Sequence, residues 1–296
     1  MNYQLIESNK DLKEIIKGFD SNYISIDTES NGLYAYYERL CLLQVEFDGK
    51  IFIIDPFKVD VKIFGDIFED IKVEKIFHSA YSDISILKKV EDFKFKNIFD
   101  IMIATRYIFK KPVSLSNLVK KYFNVELNKK YQKLNWGKRP LDENFLRYAA
   151  MDVLYLKGLR DILYKVLKEG NYNENFKYLC EKLSDVPPKV TRFNEEKYIL
   201  MAKRYMLEGF EYYIFIELVK EREEIAKKMD IPPFKVITNE LLIEISKNYD
   251  EILNAKDFSL YNRCIIRNIE WIKKTIINVI ENEIAENTFV DKNNNL

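Results

Sequence analysis

The sequence predicts an α/β fold in which helices flank a mixed sheet, followed by a second domain built only of helices. Two patterns support this prediction. The first third of the chain contains short apolar runs separated by turn signals, and then alternates extended with helical stretches. After Pro187 and Pro188, two prolines that cannot continue a helix, every periodic stretch has helical spacing. The length of 296 residues suits two domains of ordinary size.

Three strands open the predicted α/β domain. Residues 23–28 alternate apolar and polar side chains, and Leu40–Phe47 is a longer apolar run. Asp48 and Gly49 form a strong hairpin signal that leads into a strand at Lys50–Ile54. The next stretches are predicted as helix, strand, helix and strand at 61–71, 74–78, 82–90 and 96–99. Residues 101–170 have a mostly helical pattern, with breaks before Pro112 and Pro140.

The second half of the chain is predicted to form four helices, at 194–207, 211–229, 238–248 and 265–286. Thr238 is the expected N-cap of the third of these helices. We therefore expect a first domain at residues 1–185, a helical domain at 190–285 and a polar tail at 286–296.

The composition narrows the class of protein. Lys and Arg number 47, as do Asp and Glu, so any attraction to nucleic acid has to come from local patches. Cys41, Cys180 and Cys264 are far apart and odd in number, which argues against a disulfide framework and favours a reducing cytoplasm. No apolar run approaches the roughly 18 residues of a membrane span, and no secretory signal is predicted. We expect a cytoplasmic protein without membrane contact, and we infer no obligate protein partner.

Two acidic side chains lie close together at the end of the first predicted strand. Because side chains alternate along a strand, Ile24 and Ile26 face one side while Asp27 and Glu29 face the other. Two like charges at this distance repel each other unless a cation lies between them. The pair alone is equally consistent with two solvated acids at a strand end.

A third acid interrupts the apolar stripe of the helix predicted after Pro140, for which Asp142 is a good N-cap. The stripe has helical spacing and consists of Phe145, Ala149, Asp152, Leu156, Leu159 and Leu163. A buried carboxylate is costly unless it is hydrogen-bonded, paired or bound to a metal. Tyr148 lies one turn before Asp152, so a simple hydrogen bond between the two is the alternative to a catalytic site.

The fourth acid, Asp83, follows a strand-to-helix junction that also contains His78, the single histidine. A carboxylate is favoured at a helix N-terminus without any chemistry, so Asp83 alone could be a capping acid. Four carboxylates from separate elements, however, supply the hard oxygen ligands that Mg²⁺ and Mn²⁺ prefer. Two such ions about 3.5–4 Å apart can hold the attacking and leaving oxygens of a phosphodiester.

The order Asp27-x-Glu29, Asp83 and Tyr148-x-x-x-Asp152 resembles the DEDD exonucleases of the tyrosine type, and most closely the ribonuclease D family. The resemblance covers residues 20–170 and is supported by the stretches at 40–44, 77–80, 97–100 and 135–141. It implies a ribonuclease-H-like fold. The stretches 218–226 and 230–239 resemble the HRDC module, a helical nucleic-acid-binding domain that follows the nuclease in that family.

The resemblance implies a 3′→5′ exoribonuclease that uses two divalent ions, Mg²⁺ or Mn²⁺, and releases nucleoside 5′-monophosphates. Asp27, Glu29 and Asp152 would hold the ion that activates water, Asp27 would also contact the second ion, and Asp83 would act through water. Tyr148 would orient the attacking water. The expected partner is the single-stranded 3′ end of RNA, as in tRNA or structured-RNA maturation. A DNA exonuclease of the same fold and a catalytically silent nucleic-acid-binding module are the alternatives.

Basic and aromatic residues alternate before Pro140, as expected of a channel for single-stranded nucleic acid. The predicted substrate-binding residues are His78, Lys130, Gln132, Lys133, Trp136, Lys138 and Arg139. The alternative is a solvated loop with Trp136 packed in the core. In the helical half, Lys220, Arg222, Lys227 and Lys228 could contact phosphates, but the acids among them make a solvated face of mixed charge equally plausible.

Overall fold

The computed structural model describes residues 2–128, 131–170, 172–259 and 261–293. The chain divides into two compact units. The first contains residues up to Leu33 and Glu38–Val190. The second contains Tyr34–Tyr37 and the chain from Thr191 onward. Within the described residues, no helix is both long enough and apolar enough to span a membrane.

A six-stranded mixed sheet forms the centre of the first unit. Its strands are β1 Tyr3–Ile6, β2 Tyr23–Ser30, β3 Leu40–Phe47, β4 Lys50–Ile54, β5 Glu74–Phe77 and β6 Ile98–Asp100. They lie in the order β1-β4-β3-β2-β5-β6. The β2–β3 and β3–β4 pairs are antiparallel, and the other three pairs are parallel. The predicted α/β fold with a mixed sheet is therefore confirmed, with β1 as an additional edge strand.

Helices cover both faces of this sheet. They are α1 Asn9–Lys17, α2 Gly65–Glu69, α3 Tyr81–Val90, α4 Ile101–Phe109, α5 Leu115–Phe123, α6 Glu143–Leu154, α7 Leu156–Glu169 and α8 Asn173–Lys182. Short 3₁₀ turns occur at Val61–Phe64 and Leu183–Asp185. Every residue of β3 is buried because both faces of that strand are covered. One core contains Ile26 and Val45, and the core on the opposite face contains Leu42 and Ala149.

The helix predicted after Pro140 is divided in two. Asp142 caps α6 as predicted and accepts a hydrogen bond from the backbone N–H of Asn144 at 2.8 Å. The helix ends at Tyr155, whose N–H bonds to the carbonyl of Val153 instead of continuing the helical ladder, and α7 begins at the next residue. α6 packs on β2, β3 and β4, so it lies directly over the strand that carries two of the predicted acids.

The second unit is helical. Its helices are α9 Glu195–Arg204, α10 Gly209–Met229, α11 Pro233–Val236, α12 Asn239–Lys247, α13 Tyr249–Asn254 and α14 Arg263–Asn293. Thr238 caps α12 as predicted and accepts from the N–H of Leu241 at 3.4 Å. Helix α14 continues to Asn293, so the tail predicted at 286–296 is helical up to that residue. The last three residues of that predicted tail lie outside the described residues.

Candidate active site

Three of the predicted acids meet where α6 crosses β2. Asp27 and Glu29 share one face of β2, and Asp152 lies on α6. One carboxylate oxygen from each of the three residues can be chosen such that all lie within 4.8 Å of one another. Asp152 is more than a hundred positions from the other two in sequence, and the packing of α6 on the sheet brings it to them.

Asp83 lies in the first turn of α3 and is only 8% exposed. The hydroxyl of Thr28, between Asp27 and Glu29, donates a hydrogen bond of 2.6 Å to its carboxylate. The loop before α3 is fixed by Asp100, which accepts from the backbone N–H of Ala80 at 2.7 Å. Neither Thr28 nor Asp100 was predicted individually as a site residue, although Asp100 belongs to the supporting stretch at 97–100.

The four carboxyls are hard to ionise without a compensating positive charge. Burial, followed by the charges of Asp27, Asp152 and Asp83, raises the pKa of Glu29 to about 10. Burial also raises the pKa of Asp27, Asp83 and Asp152, and neighbouring carboxylates add to the effect. A divalent cation would reverse this balance, and carboxylate oxygens are the ligands that Mg²⁺ and Mn²⁺ prefer. The donor set therefore fits such ions.

The phenol of Tyr148 stays protonated in this environment. Burial raises its pKa well above 10, and the charges of Asp152, Glu29 and Asp27 raise it further. The neighbouring Tyr148 phenol lowers the pKa of the Asp152 carboxyl against the effect of burial, and the side chain of Gln132 lowers the pKa of the phenol. Tyr148 can therefore donate and orient a hydrogen bond, but it is a poor general base.

A cavity of about 310 Å³ opens over the acids. Its lining consists of Asp27, Thr28, Glu29, His78, Ser114, Leu115, Ser116, Leu127, Asn128, Gln132, Tyr148 and Asp152. A second cavity of about 340 Å³ shares Tyr148 and Asp152 and is also lined by Tyr131 and Arg147. Tyr148 and Asp152 thus lie where the two cavities meet.

A family profile described as 3′-5′ exonuclease matches residues 3–168, more than half of the chain. The chain belongs to the 3′-5′ exonuclease family. A second profile, described as HRDC domain, matches residues 214–250 in the helical unit.

The chain is similar to proteins named ribonuclease D and to exosome components. It is 28% identical over 246 residues to ribonuclease D of Desulfotalea psychrophila, which covers 82% of this chain and 66% of that protein. It is 28% identical over 250 residues to the exosome complex component 10 homolog of Caenorhabditis elegans, covering 82% of this chain and 28% of that protein. The chain thus spans less than two thirds of the length of either relative.

Solved structures confirm the fold class. The catalytic core of RRP6 from Trypanosoma brucei superposes with a TM-score of 0.83 at 23% identity, over 95% of this chain and 80% of that chain. Escherichia coli RNase D superposes with a TM-score of 0.70 at 21% identity, over 94% of this chain and 75% of that chain.

Two of the predicted substrate residues in the exonuclease unit, His78 and Gln132, line the cavity over the acids. The Nε2 of His78 lies 3.0 Å from the carbonyl oxygen of Val113, which orients the ring. Lys133 and Lys138 are exposed and do not line that cavity. The predicted contact of Lys130 lies outside the described residues.

The structure corrects the prediction for Trp136. Its side chain is only 1% exposed, so it is not available to stack on a base. The indole instead packs against the ring of Tyr148, with centroids 6.1 Å apart and planes inclined by 29°. Trp136 therefore packs in the core beneath Tyr148. This core position is the alternative that the sequence analysis left open.

The prediction for Arg139 is corrected as well, because its guanidinium is fully engaged within the protein. Nε and one terminal nitrogen donate to the two carboxylate oxygens of Asp55 at 2.7 Å each. The remaining donors reach the backbone carbonyls of Cys41, Trp136 and Lys138. Since arginine has five N–H groups and all five have protein acceptors, none remains for a phosphate.

The phosphate contacts considered for the helical unit are also not favoured. Arg222 is 1% exposed and donates to Asn239 and the hydroxyl of Tyr198. Lys220 pairs with Glu217 at 2.9 Å, and Lys227 pairs with Glu224 at 2.6 Å. These neighbours favour the solvated face of mixed charge over a phosphate-binding surface.

Proposed function

We propose that the protein is a metal-dependent 3′→5′ exoribonuclease that removes nucleotides from single-stranded 3′ ends and releases nucleoside 5′-monophosphates. The observation that carries the proposal is the convergence of Asp27, Glu29 and Asp152 to within 4.8 Å, with Tyr148 one turn before Asp152 on α6. A catalytically silent module would have no use for three carboxylates held this close together, with Asp83 in the adjacent turn of α3. Membership of the 3′-5′ exonuclease family supports the catalytic alternative.

The acids are the residues that would hold two divalent ions, Mg²⁺ or Mn²⁺. Asp27, Glu29 and Asp152 offer oxygens close enough together to share one ion. By the resemblance to the DEDD exonucleases, Asp27 would contact both ions, and Asp83, whose carboxylate also accepts from Thr28, would act through water. When bound, such ions make water more acidic and neutralise charge on the phosphate.

The protein side chains would fix the geometry of in-line attack. The phenol of Tyr148 stays protonated, so it would orient the attacking water rather than remove its proton. Trp136 packs on the Tyr148 ring and limits its movement. His78 and Gln132 would contact the terminal nucleotide from the cavity wall, while Lys133 and Lys138 would meet the phosphates of the incoming strand.

RNA is the substrate we favour over DNA because the relatives include proteins named ribonuclease D. The E. coli RNase D structure is described as that of an exoribonuclease involved in structured RNA processing. By analogy, we propose that this chain trims the 3′ ends of structured RNA, including tRNA precursors. The alternative of a DNA exonuclease differs only in how the site treats the 2′-hydroxyl.

The proposal is tested with a 5′-labelled single-stranded RNA and the DNA of the same sequence, each incubated with the full chain and Mn²⁺. We expect a ladder of RNA products shortened from the 3′ end, slower loss of DNA, and no reaction in EDTA. Asp27→Asn should leave the RNA intact while keeping RNA binding. Intact RNA with ample wild-type enzyme would refute the nuclease, and faster loss of DNA would refute the RNA preference.

A further inference from the structure

Gln44, in the middle of β3, has a side chain that the fold leaves without partners. The residue is 0% exposed. Among the described residues, neither its Oε1 nor its Nε2 atom has a hydrogen-bond partner. A buried primary amide without partners opposes folding, and nearly all buried polar groups in proteins are satisfied. An unpaired amide in this position therefore requires an explanation.

The amide lies beside one of the catalytic acids. Gln44 is paired in register with Asp27 on the neighbouring antiparallel strand β2. Directly opposed residues in such a pair point to the same face, with Cβ atoms about 4.5–5.5 Å apart. A glutamine side chain can reach a carboxylate across that distance. The unpaired amide and the metal-binding face of β2 are thus neighbours.

The adjacent pair on the same face shows that this region of the sheet does satisfy its polar groups. Glu46 lies opposite Ser25, two residues along from Gln44 and Asp27. Its carboxylate accepts from the Ser25 hydroxyl at 2.8 Å and from the Tyr23 hydroxyl at 2.9 Å. On this face of β2 and β3, the pair next to Gln44 and Asp27 is thus satisfied, whereas the Gln44 amide is not.

We propose that Gln44 is a positioning residue whose Nε2–H donates to the carboxylate of Asp27 when that carboxylate holds a divalent cation. The bond would orient the Asp27 oxygens toward the ion, as partners behind metal ligands commonly do. This inference rests on the proposed function, because it assigns Asp27 to the ions. It also gives the buried amide a partner, and sites that break local folding rules are often functional.

The test uses Gln44→Met, which has similar length but no hydrogen-bonding groups. Mn²⁺ affinity is measured without RNA, by electron paramagnetic resonance of the free ion, and thermal unfolding is measured in EDTA. We expect Mn²⁺ binding to weaken by about 10- to 100-fold, with a Tm in EDTA that is unchanged or higher. Gln4→Met, at an exposed position of the edge strand β1, is the matched control and should change neither quantity.

Unchanged Mn²⁺ affinity in Gln44→Met would overturn the inference, whether or not the Tm falls. A lower Tm with unchanged affinity would indicate that a buried water satisfies the amide. If the variant does not fold, the assigned side-chain amide resonance of Gln44 in wild-type protein is followed during Mg²⁺ titration. No shift at saturation would also overturn the inference. A wild-type protein that binds no Mn²⁺ would instead refute the proposed function itself.

Discussion

Arg139→Met tests whether Arg139 stabilises the fold by holding Asp55 rather than by contacting RNA. The wild-type guanidinium holds Asp55 through two hydrogen bonds of 2.7 Å and lies over the ring of Phe57 at 4.5 Å from its centroid. Asp55 is 1% exposed, so water cannot replace the lost partner without local opening. The substitution therefore leaves a buried carboxylate without its counter-charge.

The expected loss of stability follows from that burial. Removing one partner of a buried ion pair costs about 3–5 kcal/mol. The Arg139 side chain is 22% exposed, so we expect a value near the lower end, about 3 kcal/mol. Arg139→Lys keeps a charge but loses the two-pronged geometry, and we expect an intermediate loss. Lys138→Met, at the exposed neighbouring position, should change stability by less than about 0.5 kcal/mol.

The loss of stability in Arg139→Met should be greater at neutral pH than at acidic pH. Burial alone would raise the pKa of Asp55, but the hydrogen bonds from Arg139 and from the backbone of Phe57 outweigh it and lower the pKa below 3.8. The pair thus stabilises the wild-type fold above the unfolded pKa, and this contribution is lost as pH falls through the folded pKa. Without Arg139, burial raises the pKa instead. The difference between variant and wild type should be largest near neutral pH and shrink below about pH 4.

Urea unfolding followed by tryptophan fluorescence measures this difference. The chain has two tryptophans, so a Trp271→Phe background leaves Trp136, beside Arg139, as the reporter. RNA cleavage is measured on the same proteins under conditions where all are folded. A variant with wild-type stability and a raised KM for RNA would refute the stabilising role of Arg139. That result would instead favour a direct contact between Arg139 and RNA.

Three further predictions concern single side chains. Tyr148→Phe should lower kcat about 10²-fold with little change in KM, as expected when one oriented donor is lost; full activity would exclude the water-orienting role. Trp136→Ala should destabilise the exonuclease unit by about 3–5 kcal/mol in urea, whereas Trp136→Phe should keep the wild-type KM. Lys75→Met should cost about 1–3 kcal/mol, because the buried Nζ donates to the carbonyls of Asp70 and Val73 at 2.6 and 2.7 Å. The exposed control Lys72→Met should be neutral in the same urea assay.

Local patterns were sufficient to predict five of the six strands and to single out Asp27, Glu29 and Asp152 as candidate site residues. Alternation along a strand put Asp27 and Glu29 on one face, and helical spacing revealed Asp152 as a polar residue in an apolar stripe. Both inferences depend on neighbours within a few residues. The break at Tyr155 was missed because the helical spacing of the stripe continues through it, with Leu156 and Leu159 in the same pattern as Ala149.

Features that depend on distant partners could not be predicted. β1 is a four-residue edge strand whose partner β4 lies more than forty residues away, and its short pattern gives little signal. Arg139 looked like a phosphate ligand because its partner, Asp55, is separated from it by 84 positions. The sequence around a charged residue shows whether it is exposed or paired within the protein only when its partner is close by in sequence.

The most direct measurement of the central claim is the position of bound metal. Crystals of the protein soaked with Mn²⁺ and a nucleoside 5′-monophosphate would be examined by anomalous diffraction. We expect two Mn²⁺ peaks about 3.5–4 Å apart, with oxygens of Asp27, Glu29 and Asp152 among the ligands, and with the phosphate of the nucleotide between the two ions. An acid cluster that binds no Mn²⁺ at saturating concentration, or Mn²⁺ bound only elsewhere, would contradict the account.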